Sequence, residues 1–207
     1  MQLRSDSFEN GQAIPAEFAF GKKADPFALS NNLSPHLAWK NAPSVTRSFV
    51  LTCIDNDVPS RADDVNKPGR TVPAELPRVE FAHWLMADIP AECGELAAGA
   101  CSDEVTPRGK SDPFGPPGSM QGVNSFTGWF ADDKDMAGEY LGYDGPCPPW
   151  NDALLHRYRF KLYALDVRSL GLIKGFSLAE LRAAMVGHVL AEAELTGTYS
   201  LNPAVES

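Results

Sequence analysis

Three stretches of the chain show the residue patterns of β-strands. Arg47 to Ile54 (RSFVLTCI) is apolar on both faces and rich in β-formers, as a central strand covered on each side would be. Val79 to Ile89 (VEFAHWLMADI) reads as a second long strand, with Val79, Phe81, His83, Leu85, Ala87 and Ile89 on one face. His156 to Asp166 (HRYRFKLYALD) alternates most clearly. Its His156, Tyr158, Phe160, Leu162 and Ala164 should point inward, and Arg157, Arg159 and Lys161 toward water. One helix is well marked. Ser177 and Glu180 make a capping box, S-x-x-E, and Leu178, Leu181, Met185 and Val189 follow at helical spacing. The pattern carries this helix to near Glu194, with a last strand through Leu195, Gly197, Tyr199 and Leu201.

From about 93 to 155 the periodicity disappears. Gly and Pro become dense, as in Asp112-Pro113-Phe114-Gly115-Pro116-Pro117-Gly118. Long irregular connections are uncommon in compact domains and more often functional than accidental. We expect a folded surface excursion anchored by Phe114, Phe126, Trp129, Phe130 and Tyr140, within one domain spanning 1–207.

Composition narrows the classes. An apolar fraction of 43% suits a globular core, and 207 residues can bury one without staples. A net charge of -9 with no run of Lys or Arg argues against nucleic acid as a partner. No segment has the length of a membrane span or a signal peptide, so we expect a cytoplasmic protein with no integral membrane segment. The four cysteines lack metal-type spacing and are expected as free thiols, with Cys93 and Cys101 the pair that export would allow to join.

The polar chemistry lies in two distant segments. Asp55-Asn56-Asp57-Val58-Pro59-Ser60 leads to His83-Trp84, and Gly145-Pro146-Cys147-Pro148-Pro149 leads to His156-Arg157-Tyr158. Asp55 and Asp57, spaced i and i+2 beyond the first strand, share a side; they either cap the turn before Pro59 or, for Asp55, accept in a pocket. His83 alone would read as a satisfied core histidine. With His156 also inward-facing and only four histidines in the chain, shared burial by chance becomes a poor explanation. Tyr158 leaves its strand on the same side as His156, and phenol and protonated imidazole both donate to an anionic oxygen. The prolines make a stiff rim. Nothing nearby would lower the pKa of Cys147 to make it a nucleophile. His36 reads as a turn residue and His188 as a packing or solvent-facing helix residue.

Taken in order, these motifs resemble the phosphatidylethanolamine-binding protein family, also called the Raf kinase inhibitor protein family, and most closely its bacterial branch. The likeness rests on Asn32-Leu33-Ser34-Pro35-His36-Leu37-Ala38-Trp39, the Asp55–Ser60 segment, His83-Trp84, the Gly145–Pro149 segment with His156-Arg157-Tyr158, and the closing Gly187-His188-Val189-Leu190-Ala191 with Gly197-Thr198-Tyr199. It implies a mainly β fold: a large antiparallel sheet, a smaller sheet packed on it and a few peripheral helices. It also implies a pocket for phosphate, a carboxylate or a phospholipid head group, built from Asp55, His83, His156 and Tyr158 with Pro59, Pro148 and Pro149 at the rim. Homodimers are frequent in that branch. Asn56, Val58 and Trp150 depart from the family pattern, and Gly109 to Tyr143 is longer than in compact eukaryotic members. Trp150 and the long loop would narrow or cover the entrance.

Three functions follow as expectations. The leading one is a binding protein, possessing no catalytic residue, cofactor or metal, for a small anion or head group. The second is a hydrolase or metal-dependent enzyme using the same Asp, His and Tyr. The third is a kinase or protease inhibitor acting through the Gly109–Tyr143 loop, which would then be removable without loss of anion binding.

Overall fold

A computed structural model describes residues 1–206. In chain order the elements are β1 (Gln2–Arg4), β2 (Gly21–Lys23), β3 (Phe27–Leu29), β4 (Leu37–Lys40), β5 (Ser48–Pro59), β6 (Arg78–Pro90), β7 (Glu95–Leu96), β8 (Met120–Gln121), α1 (Phe126–Trp129), β9 (His156–Leu165), α2 (Leu178–Met185) and β10 (Val189–Tyr199). The fold is mainly β, as expected. A five-stranded antiparallel sheet runs β10-β9-β5-β6-β8, beside a three-stranded sheet β1-β4-β7 and the β2-β3 hairpin.

β5 is almost wholly apolar from Phe49 to Ile54 because both faces of its sheet are covered there. One face packs Phe49, Leu51, Trp84, Met86, Phe160 and Leu162 against Leu37, Trp39 and Leu96 of the small sheet. The other packs Val50, Ile54, Leu85 and Leu165 against Phe176, Leu181 and Met185 in and before α2. β9 alternates as its sequence does, with His156, Tyr158, Phe160 and Leu162 buried and Arg157 and Arg159 exposed.

The strands depart from simple alternation where the site is built. β5 continues past Ile54 to Pro59, so Asp55 and Asp57 lie within the strand, not beyond it. β6 is bulged. Cys53 pairs with Trp84 and Ile54 with Ala82, leaving His83 without an opposite residue. A second irregularity falls between Met86 and Ile89, where Asp88 adopts φ 57°. The odd positions of this strand therefore do not share a face: Ile89 packs with Trp84 and Met86, whereas Leu85 and Ala87 lie on the other side.

The helix begins as its capping box dictates, with the Ser177 hydroxyl accepting from the Glu180 N–H. It ends at Met185, far short of Glu194. Gly187 takes φ 82°, and the residues after it pair with β9 instead, Glu192 opposite Tyr163 and Glu194 opposite Lys161. His188 accordingly lies off the helix, against Asp166. His36 is buried before β4, where its ring accepts the Asp6 N–H.

The 93–155 stretch folds back over the sheet with three short elements of its own. Phe126 and Tyr140 anchor it from buried positions; Phe114 and Trp129 are largely exposed and do not. Its neck is pinched where 108–109 meets 138–139. A Cβ on Gly109 would stand 2.2 Å from the Glu139 carbonyl oxygen, and one on Gly138 would stand 2.1 Å from that of Arg108, so only glycine fits either place.

Candidate functional site

Register brings the two distant segments together. β5 and β9 pair without interruption from Ser48 opposite Leu165 to Asp55 opposite Tyr158, which sets His156 beside Asp55. From the other side of β5, the bulge in β6 re-aims His83 toward the same place, the usual consequence of inserting one unpaired residue. The His83 and Tyr158 rings meet edge to face at 5.1 Å between centroids.

Asp55, His83, His156, Tyr158, Pro59, Pro148 and Pro149 all line one cavity of about 290 Å³. Its floor is polar: Asp55, His156 and Tyr158 are almost wholly buried and His83 is 3% exposed. Its walls are apolar, formed by Phe20, Phe81 and Phe126, and its mouth reaches the surface at Phe27, Arg61 and Trp129. Trp150 does not line it; its backbone N–H donates to Asn66 Oδ1. The excursion does, through Phe126, Trp129, Phe130, Asp133 and Met136.

His156 sits between two carboxylates. Its Nδ1 is 2.6 Å from Asp55 Oδ2 and its Nε2 3.1 Å from Asp152 Oδ2. Arg78 grips Asp152 with both terminal nitrogens at 2.6 and 3.0 Å. Burial would push the imidazole toward neutrality, but hydrogen bonds to Asp152 and Asp55 outweigh it and hold the pKa up at about 9. For Asp152, likewise, burial favours the neutral acid, yet bonds from His156 and Arg78 prevail and depress the pKa. With both ring nitrogens donating, His156 has no lone pair for a metal. Among the described residues, no three His, Cys, Asp or Glu are grouped to hold one.

His83 differs. Its Nδ1 lies 2.7 Å from the Asp144 carbonyl oxygen, which can only accept, so Nδ1 carries the proton. Burial lowers its pKa, more than the nearby Asp55 and Asp144 raise it. The resulting neutral ring keeps a lone pair on Nε2, which has no partner among the described residues. Asp144 is in turn fixed by Lys110 and Asn32 at 2.8 Å each on one oxygen and by Asn124 at 2.8 Å on the other.

Tyr158 is fully buried and its hydroxyl has no hydrogen-bond partner in the protein. Burial, reinforced by the Asp55 charge, drives its pKa well above the ordinary value, so it is a phenol with a proton to donate. Cys147, also lining the cavity, is pushed up to about 12 by burial and is a neutral thiol. All four cysteines are free.

Asp55 turns out to do local work as well. Its Oδ1 accepts the Asp57 N–H at 2.7 Å, a turn-forming bond, while Oδ2 holds His156. Asp57 points elsewhere, to the Arg157 backbone N–H and guanidinium. Sequence reasoning missed Asp152, Arg78, Asp144 and Lys110. Position offered some signal: Asp144 directly precedes the Gly145–Pro149 segment, and Asp152 stands four residues before His156.

A two-sided β core with an apolar-walled, polar-floored cavity at one sheet end places the chain in the mainly β class. The chain matches the phosphatidylethanolamine-binding protein family over residues 4–200. A UPF0098 protein of Aquifex aeolicus is 33% identical over 199 residues, covering 96% of this chain and 88% of that one. The UPF0098 protein YbhB of Escherichia coli is 30% identical over 206 residues, 97% and 100% of the two chains. Among solved structures, E. coli YbcL, described as a member of the mammalian PEBP family, superposes with a TM-score of 0.69 at 26% identity, over 96% of this chain and 97% of its own. CT736 of Chlamydia trachomatis, described as a PEBP homologue, gives 0.65 at 29% identity, over 96% of each. This chain belongs to the phosphatidylethanolamine-binding protein family.

Proposed function

We propose that this protein binds a small anion, either phosphate, a carboxylate or a phosphorylated head group, and does so without transforming it. One observation carries the reading. The Tyr158 hydroxyl is completely buried and unpartnered within the protein, on a residue that lines a cavity reaching solvent. Buried polar groups are almost always satisfied, and an orphan beside an open pocket marks where a ligand oxygen belongs. The neighbouring Nε2 of His83 is the second free polar position. The family membership is consistent with this use.

Proton linkage gives the reading a sign. His83 is neutral in the free protein, and an anion beside it favours a proton in the complex. One proton therefore enters with the anion, and phosphate affinity rises as pH falls from about 8 to about 6. His156 keeps its proton up to about pH 9 and contributes no slope in that window.

Calorimetric titration of phosphate across this range tests the linkage, and Tyr158→Phe tests the donor. The variant should bind at least about tenfold more weakly, the worth of a hydrogen bond to a charged group. It should also unfold at equal or higher urea concentration, because it removes a buried polar atom that the free protein leaves unsatisfied. Affinity that ignores pH, or a phenylalanine variant that binds as tightly as the parent, would overturn the reading.

A further inference from the structure

One side of the cavity mouth is formed by residues 61–71, a strap that leads from the end of β5 to Val72 and brings Arg61, Ala62, Val65 and Asn66 to the cavity. Both ends of the strap are held. At one, the Ser60 N–H donates to the Pro77 carbonyl; at the other, buried Val72 exchanges backbone bonds with Asn151 and Ala153. Between them the chain turns on itself, with the N–H groups of Val65, Lys67 and Arg70 donating to the carbonyls of Ala62, Asp64 and Lys67. Its ion pairs are internal too, Arg61 with Asp63 and Arg70 with Asp64. Among the described residues, none from 61 to 71 joins an apolar core cluster. Nor is the strap seated tightly on its own base. A gap of about 70 Å³ is lined by Arg61, Asp63 and Asp64 on one side and by Val72, Pro73 and Leu76 on the other.

What fastens the strap to the body is one buried side chain, Asn151. Its Oδ1 accepts the Asn66 N–H at 2.9 Å. Its Nδ2 donates to the carbonyls of Asp64 at 2.9 Å and Arg70 at 3.0 Å, with that of Lys67 at 3.4 Å. One more bond joins at the same place, from the Trp150 N–H to Asn66 Oδ1 at 3.0 Å. We infer that Asn151 is the latch of a lid: when its amide lets go, residues 61–71 swing out as a unit about Ser60 and Val72, and this opening sets the rate at which ligand enters and leaves the cavity. A segment with few buried apolar contacts opens locally at far less cost than global unfolding. The internal turns and ion pairs need nothing from the body, so they survive the opening and keep the strap in one piece. The latch itself stays behind, because the next residue, Asp152, is gripped by Arg78 and His156. Lid opening of this kind can govern ligand exchange even where the floor of a site is rigid. The latch stands on the bonding pattern alone; the strap's use as a gate rests on the anion-binding reading above.

The experiment uses the full chain with Asn151→Ala, which keeps the backbone bonds to Val72 and removes the amide. Hydrogen exchange read by mass spectrometry should show residues 61–71 exchanging at least about tenfold faster, since several hydrogen bonds are lost together, with β5 and β9 unchanged. Trypsin should cut faster by a similar factor after Arg70, whose carbonyl the latch holds. With inorganic phosphate as the probe, NMR exchange measurements should show entry and release quickening together, so that Kd changes much less than either rate. Asn66→Gly is the second variant, in case the first does not fold. It suits the φ of 55° at that position and loses only the bond from Trp150, so it should shift the same readouts in the same direction by less. Unchanged exchange and cleavage in the strap overturn the inference. So does acceleration that spreads equally into β5 and β9, which would make Asn151 a support of the whole body. A strap that exchanges faster while phosphate enters and leaves at the parent's rates overturns the gate. A protein that binds no phosphate removes the anion-binding reading and the gate with it, while exchange and cleavage still decide the latch.

Discussion

His156 owes its charge to its neighbours. Burial alone would strip the proton; two carboxylates, one of them braced by Arg78, put it back and raise the pKa to about 9. The linkage has a definite direction. A histidine whose folded pKa lies above its unfolded value near 6.5 stabilises the fold fully below that value, and the contribution fades as pH rises through about 9. The gap corresponds to roughly 3 kcal/mol. Urea unfolding followed from about pH 6 to about pH 10 should therefore show stability falling by that order, and ¹⁵N titration should place the His156 transition near the upper end. A flat profile with His156 titrating below about 7 would mean that the carboxylates do not hold the proton. At this scale the sequence was partly legible. Period-two alternation placed His156 and Tyr158 on one buried face, and both are there. Their chemistry was not legible, because it depends on partners such as Asp152 and Arg78, which fold into contact across 74 positions.

Elements were readable wherever a local rule governs them. The capping box fixed the start of α2, since Ser177 and Glu180 satisfy each other's backbone N–H groups without help from the rest of the chain. The end of α2 escaped the same reasoning. Val189 continues the helical spacing, but Gly187 in the left-handed region breaks the helix, and the long ladder with β9 claims the residues that follow. The bulge at His83 escaped as well, because an extra residue on one strand is a property of the pair, which the sequence of β6 alone does not display. The two faces of the sheet also divide the labour: α2 packs on one, while Tyr158 and His156 belong to the other. Ser177→Ala should then cost about 1 kcal/mol in urea unfolding and leave phosphate affinity unchanged. A loss of affinity in this variant would show that the faces are coupled through β5.

The molecule as a whole closes around Asp144. Its buried carboxylate gathers Asn32 from before β4, Lys110 from the neck of the excursion and Asn124 from before α1, and its backbone exchanges bonds with His83 in both directions. The excursion is thus part of the pocket, supplying walls through Phe126 and Phe130 and support through Lys110. Reading it as a loop that can be removed without cost to anion binding treats as separate two things the fold has joined. The test is a single cation. Lys110→Met preserves the aliphatic stem and removes the charge, leaving Asp144 buried with only neutral partners. Breaking a buried pair in this way costs roughly 3 kcal/mol, so the urea midpoint should drop markedly. Loosening Asp144 also frees its carbonyl from His83, so phosphate affinity should weaken several-fold even at temperatures where the variant is fully folded. If affinity survives while stability falls, Asp144 is a structural knot alone, and His83 is held by the bulge of β6 without it.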